Sequence, residues 1–432
     1  MNFKHVWVAV IVAALSLSQG VAQTPPAPEY VRLGSANGAV YRPAGATPRV
    51  AFVVMHRVGD FMRHPACGAL SARGFLVLCI DPKAVNNEAI VTWEQTMLDV
   101  AAGVEYLRKQ PGIVRIVLFG HSGGGTVMGS YQAVAEKGLS YCRAPQRLTQ
   151  CSDKLAHLPP ADGVVFADAH PNDGVQKMRD IDPAVVAEKD GSIRVRADLD
   201  PFSAINGYDP VRSHYSKEFI KHYAQAQATE MANLIEQARH QDADMKQNGM
   251  TRANEDLILI PTTRSSAWIL RYDPDIEGAR ETVRPEKLLR NDGSVVLGKV
   301  TSVAVATGPE DIKTLETLYF SVAAFLQSHA IRGTNSIDGI DYCSSSSSSI
   351  CGAQFISVPA MVAGMGGYMF VRDSERLYDH LATKDKDLVI IEGALHGFTP
   401  CEACEKTTGQ YDNSEKNLFD YIRDWTQKHF PQ

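Results

Sequence analysis

The stretch Ile116-Val117-Leu118-Phe119-Gly120-His121-Ser122-Gly123-Gly124-Gly125 is an apolar run, then Gly-His-Ser-Gly-Gly, then a segment with helical spacing that reaches Lys137. A serine on so tight a strand-to-helix turn must hold a strained backbone, and glycines two residues to either side remove the clashes that side chains would cause. Such a turn lifts the hydroxyl to the carboxyl edge of a sheet. It also sets the Gly123 N–H and the amino end of a helix where negative charge would develop. A hydroxyl is a poor nucleophile without a base, so the stretch calls for a histidine close by in space.

Outward from this turn the chain alternates apolar runs with helix-like segments, the pattern of an α/β domain with a parallel sheet. The runs are Arg49–His56, Phe75–Asp81, Val114–Gly120, Gly163–Ala167, Val358–Gly364 and Leu388–Glu392. They are continuous rather than alternating, as strands covered on both faces should be. Helical spacing occupies Phe61–Arg73, Ile90–Lys109, Gly125–Lys137, Ser374–Ala382 and Ser414–Phe430. Between about Gly174 and Gln354 the texture changes. A long helical pattern runs through Phe219, Tyr223, Met231, Leu234 and Ile235, and a second is expected near Leu315–Leu326. Cys343 and Cys351 bracket six serines and an isoleucine, a low-complexity loop expected to be flexible. The expected layout is an export signal over 1–22, a catalytic core over 23–173 and 355–432, and a cap or lid insertion over 174–354.

Of thirteen histidines, only His396 sits just after a late apolar strand and before a terminal helix, in Leu388-Val389-Ile390-Ile391-Glu392-Gly393-Ala394-Leu395-His396-Gly397. With the serine turn, this order resembles the α/β-hydrolase fold family. The resemblance implies a mostly parallel central sheet with helices on both faces, and a triad in the order serine, acid, histidine. Ser122 is then the nucleophile and His396 the base, with His170 as the serious rival to His396. His56 falls where the family has its oxyanion loop, and His121 neighbours the nucleophile. The acid is expected at Asp168, which ends the strand Gly163–Ala167, because the usual later position reads Gly364-Met365-Gly366-Gly367-Tyr368 without a carboxylate. Asp373 and Asp173 are the other candidates. The Gly123 N–H and that of Arg57 or Val58 are the expected oxyanion donors, although Arg57 replaces a glycine frequent in the family. The Arg57 side chain has two readings, a group that meets a substrate carboxylate or an ordinary solvated arginine.

Composition narrows the function. The chain has 432 residues, with 43 basic against 49 acidic side chains and a net charge of −6, so it carries no electrostatic footprint for nucleic acid. Lys4, the apolar run Val6–Leu17 and Gly20-Val21-Ala22 read as a cleaved export signal, which implies a secreted or periplasmic protein with no membrane span in the mature chain. The eight cysteines form four neighbouring pairs, Cys67/Cys79, Cys142/Cys151, Cys343/Cys351 and Cys401/Cys404, as disulfides in an oxidising compartment would. A redox or zinc half-site at Cys401/Cys404 is the weaker reading. No metal cluster, dinucleotide fingerprint or phosphate loop is present in the sequence, so no cofactor is expected. The expected activity is hydrolysis of a small-molecule or oligomeric carboxylic ester through an acyl-enzyme. An amidase or peptidase with the same triad, and a binding protein on a hydrolase scaffold, are the alternatives. Tyr208, Tyr215, Tyr223, Trp268, Tyr272 and Tyr319 offer aromatic surface for a bulky uncharged ester, packing being their commoner use.

Overall fold

In the computed structural model, which describes residues 27–45, 47–187, 192–249, 257–263, 269–273, 275–276, 280–304 and 315–431, the apolar runs become strands covered on both faces. The export-signal stretch 1–22 and Trp268 lie outside the described residues. Ten strands form one sheet: β1 (Glu29–Leu33), β2 (Ala36–Tyr41), β3 (Val50–Met55), β4 (Leu76–Asp81), β5 (Arg115–His121), β6 (Gly163–Ala167), β7 (Glu286–Leu289), β8 (Val295–Gly298), β9 (Ala360–Met365) and β10 (Lys386–Ile391). Their order is β1-β2-β4-β3-β5-β6-β9-β10-β7-β8. From β4 to β7 every neighbour is parallel, whereas β1, β2 and β8 pair antiparallel at the two edges.

Alternate residues of each strand serve two cores. Val53, Leu78, Leu118, Phe166 and Val362 pack with helices α1 (Trp93–Arg108), α2 (Gly123–Lys137) and α3 (Val371–His380). Val54, Cys79, Phe119, Val165 and Ala363 pack with the helix Pro65–Ser71 and with α4 (Ser414–His429) on the opposite face. Each large apolar side chain fully buried this way contributes about 1.5–3 kcal/mol, which is why these strands carry almost no polar residue.

The stretch 174–354 holds the helix Lys217–Gln247, in which Phe219, Tyr223, Met231, Leu234 and Ile235 are all buried. Two findings depart from expectation there. The segment expected to be helical near Leu315–Leu326 is so only from Val322; Leu315–Ser321 is a strand paired antiparallel with Leu257–Thr263, with Leu318 and Phe320 turned inward and Thr317 and Tyr319 facing out, a period of two. Strands β7 and β8 also leave this stretch to lengthen the ten-stranded sheet beside β10.

The serine run departs further. Ser344 through Ser349 are all buried, and the run ends in the short helix Ser349–Ala353 against α2. It is ordered because its polar groups find protein partners. Ser130 Oγ donates to the carbonyls of Ser346 and Ser348, Leu148 N–H donates to Ser344 O, and Ser349 Oγ donates to His170 O.

All four neighbouring cysteine pairs lie at disulfide distance, with Cα–Cα separations of 6.2, 5.7, 5.1 and 5.3 Å. Among the described residues no helix is long and apolar enough to cross a membrane.

Candidate active site

Ser122 stands between the end of β5 and the start of α2 with φ 57° and ψ −128°. The glycines around it are spatial necessities. A Cβ on Gly120 would lie 2.7 Å from Gly124 O, and one on Gly123 would lie 2.7 Å from His56 Nε2. The elbow is tied down by its backbone: Ser122 N–H donates to Ala167 O at 3.2 Å, and Ser122 O accepts from His170 N–H at 3.0 Å. The structure brings together the three residues selected from sequence. Ser122 Oγ is 2.8 Å from His396 Nε2, and His396 Nδ1 is 2.5 Å from Asp168 Oδ2. Asp168 is fully buried with φ 43°; its N–H donates to Ala363 O at 2.7 Å and its Oδ1 accepts from Met365 N–H at 3.2 Å. That frame leaves Oδ2 for the imidazole. Asp373 lies in the first turn of α3, paired with Arg179 and Arg376, and forms no contact with His396.

At the elbow's other flank the turn after β3 packs on the start of α2, which carries no side-chain cap, so its first N–H groups lack a side-chain acceptor. Val58 N–H donates to His56 Nδ1 at 3.2 Å, as Gly59 N–H does at 2.7 Å. Of the two expected donors in this turn, Val58 is therefore already engaged, while Arg57 N–H has no acceptor among the described residues. The Arg57 side chain matches neither expectation. It is buried, ion-paired with Glu88 and, through Nε at 3.2 Å, with Asp173. Two carboxylates hold it in place of a substrate. Burial pushes the Asp173 carboxyl up, but the Arg57 guanidinium above all, with the Ser347 hydroxyl, outweighs it and brings the pKa to about 2. Glu88 is likewise held well below its ordinary range against burial, by Arg57 and Lys177.

No protein-family model matches the chain, and no curated protein does. Among solved structures it is similar to Est1E from Butyrivibrio proteoclasticus, at 10% identity over 94% of this chain and 100% of that one, with a TM-score of 0.41. A soluble variant of monoglyceride lipase from Saccharomyces cerevisiae is similar at 11% identity over 95% and 97%, TM-score 0.43. The acylaminoacyl peptidase of Pyrococcus horikoshii is similar at 10% identity over 94% of this chain and 42% of that one, TM-score 0.42. The parallel strands, the strained serine turn between β5 and α2, and the chain order Ser122, Asp168, His396 carry the assignment on their own. The fold is the α/β-hydrolase fold.

In this α/β-hydrolase fold, ligands are expected outside the carboxyl ends of the parallel strands, where β3, β5, β6 and β10 deliver Arg57, Ser122, Asp168 and His396. Two further histidines stand there, His121, expected only as a neighbour of the nucleophile, and His64, which sequence reasoning did not single out. His121 Nε2 donates to the His396 carbonyl at 2.7 Å, and its Nδ1 accepts from His64 Nε2 at 3.0 Å. The pair braces the loop that carries His396. Burial lowers both their pKa values, that of His64 to about 4, so both are neutral donors and acceptors near pH 7. The only sequence signal was their presence beside the elbow and before a helix. His170 Nε2 lies 3.1 Å from Ser122 Oγ. The aromatic surface at the site is also not the expected one. Tyr215, Tyr223 and Tyr272 are buried in a separate cluster with the half-buried Tyr208 packed against it, which is the packing use of such residues. Tyr368 instead stacks on His396 at a centroid distance of 4.5 Å, and Phe370 meets His170 edge-on at 5.1 Å.

Proposed function

We propose that this protein is a serine hydrolase that cleaves a carboxylic ester through an acyl-enzyme, with Ser122, His396 and Asp168 as its triad. The observation that carries the reading is the hydrogen-bonded line from Ser122 Oγ through His396 to Asp168, at 2.8 and 2.5 Å. The 2.5 Å bond fixes the proton on His396 Nδ1, so Nε2 presents a lone pair to the serine hydroxyl. Ser122 attacks the carbonyl carbon while its proton passes to Nε2. The oxyanion is met by the N–H groups of Gly123 and Arg57, and His396 returns the proton to the leaving oxygen. Water then attacks the acyl-enzyme with His396 as base, freeing the acid and restoring Ser122. Tyr368 and Phe370 flank both imidazoles and favour a bulky, uncharged acyl or alcohol group. The stretch 174–354 is read as the cap over this edge. Four disulfides support secretion into an oxidising compartment.

A fluorophosphonate probe tests the core of the reading, since only an activated serine reacts. Wild type should label at Ser122 and hydrolyse nitrophenyl esters, and Ser122→Ala should do neither. An unlabelled wild-type protein would make the chain a binding protein on a hydrolase scaffold. Faster turnover of the matched nitroanilide than of the ester would make it an amidase.

A further inference from the structure

We infer that His170 is a second catalytic imidazole, one that donates its Nε2–H to Ser122 Oγ while His396 accepts the hydroxyl proton. The inference rests on the proposed reading of Ser122 as nucleophile and His396 as base. Ser122 Oγ has one proton and two lone pairs, and two imidazole nitrogens lie within hydrogen-bond reach of it, at 2.8 and 3.1 Å. One proton cannot serve two acceptors. The tautomers are set by what stands behind each ring. Asp168 at 2.5 Å forces Nδ1–H on His396, which makes its Nε2 the acceptor. Asp173 Oδ1 stands 3.9 Å from His170 Nδ1, beyond hydrogen-bond reach, and faces Arg57 Nε at 3.2 Å instead. His170 Nδ1 has no hydrogen-bond partner among the described residues, whereas Nε2 has Oγ at 3.1 Å, so Nε2–H is the tautomer that gains a full hydrogen bond. Burial lowers the His170 pKa, which favours the neutral, singly protonated ring.

The surroundings fix His170 from several sides. Its N–H donates to Ser122 O at 3.0 Å, and its carbonyl accepts Ser349 Oγ at 2.6 Å. Asp173, three residues on, is anchored by Thr126 Oγ1 at 3.0 Å and by Ser347 Oγ. The disulfide-bracketed serine run is thus the support of this loop, with Asn172 bridged to Ser348. Chemically, an N–H on Oγ stabilises the negative charge that the oxygen gathers as His396 takes its proton. It does so again at deacylation, when water has added to the acyl carbon, the bond from that carbon to Oγ breaks, and Oγ leaves with the electron pair. Asp173 and the serines are positioning groups.

The rate of fluorophosphonate labelling reads this without a known substrate. His170→Met, which has no donor, should label about ten- to a hundredfold more slowly, the loss expected of one hydrogen bond to a charged atom. His170→Gln keeps an N–H donor but no base, and should recover most of that rate with the wild-type pH midpoint. Wild-type rates in both variants would remove the donor role. A Gln variant as slow as His396→Gln would make His170 the base. A His396→Gln protein that labels normally would instead sink the proposed triad, a separate outcome. Nitrogen-15 NMR of histidine-labelled wild type gives a readout that needs no folded variant: the proton is expected on Nε2 of His170 and on Nδ1 of His396, and Nδ1–H on His170 overturns the inference.

Discussion

Asp168 and Asp373 both lie near the carboxyl edge of the sheet, yet only one has a free carboxylate oxygen for His396. Asp168 ends β6 at φ 43°, a left-handed conformation that aspartate and asparagine tolerate better than other side-chain-bearing residues. Its Oδ1 is fixed by Met365 N–H and its Oδ2 by His396 Nδ1. Asp168→Asn should therefore keep its backbone but lose the His396 tautomer, with kcat for a nitrophenyl ester falling by about 10⁴-fold. Asp373→Asn breaks buried pairs to Arg179 and Arg376 at 3.4 and 3.6 Å and should lower stability, by up to about 3–5 kcal/mol, while leaving kcat near the wild-type value because Asp373 touches no triad residue. Steady-state kinetics on the two variants decide it; a collapse in Asp373→Asn alone would reverse the assignment. The convergence of Ser122, Asp168 and His396 was legible in the sequence because Ser122 and Asp168 directly follow apolar strands and His396 lies in the glycine-containing loop just after another. The role of His170 was not. It follows the same strand as Asp168, and only three-dimensional distances separate a base from a donor when two imidazoles converge on one oxygen.

Among the elements, the six central strands and their helices were legible because a chain buried on both faces admits almost no polar residue and is punctuated by glycine. The edges were not. β1 is mostly exposed, and β2, though buried at Ala36, Ala39 and Val40, is broken by Asn37 and Gly38, so neither makes a continuous apolar run; β7 and β8 flank Asn291-Asp292-Gly293, with Gly293 at φ 83°, a hairpin turn inside the stretch expected to form the cap. The serine run defeated local reading altogether, because its order depends on Ser130, Arg147 and His170, all distant in sequence. Its seat is a close approach: a Cβ on Gly352 would lie 2.5 Å from the Gly129 backbone in α2. Gly352→Val should push the short helix Ser349–Ala353 off α2, costing about 1–3 kcal/mol. If that helix supports His170 as argued, the labelling rate should fall with it. A urea midpoint lowered without any change in labelling would confine the serine run to stability.

On the scale of the whole molecule, the number of histidines enclosed by the fold makes its stability sensitive to acid. Burial and the neighbouring Arg57 lower His56 and His329 to about 3, and burial with His396 lowers His64 to about 4. Each has an unfolded value of 6.5, so between there and the folded value the unfolded chain binds a proton that the native state refuses. The stabilisation is therefore complete above pH 6.5 and drains away as pH falls. Three such protons give a slope of up to about 4 kcal/mol per pH unit, enough to exhaust an ordinary stability of about 5–15 kcal/mol within a few units. Asp173 adds a further loss only below its unfolded value of 3.8, as pH falls toward about 2. His329 isolates one share of the slope. It is fully buried against Phe320 at a centroid distance of 4.1 Å, and neither ring nitrogen has a hydrogen-bond partner among the described residues. His329→Leu should flatten the dependence by about 1.4 kcal/mol per pH unit. Urea unfolding of both proteins from pH 8 to 4.5 measures it, and a wild-type midpoint that stays level from pH 7 to 5 would show that these imidazoles are open to protonation in the folded chain.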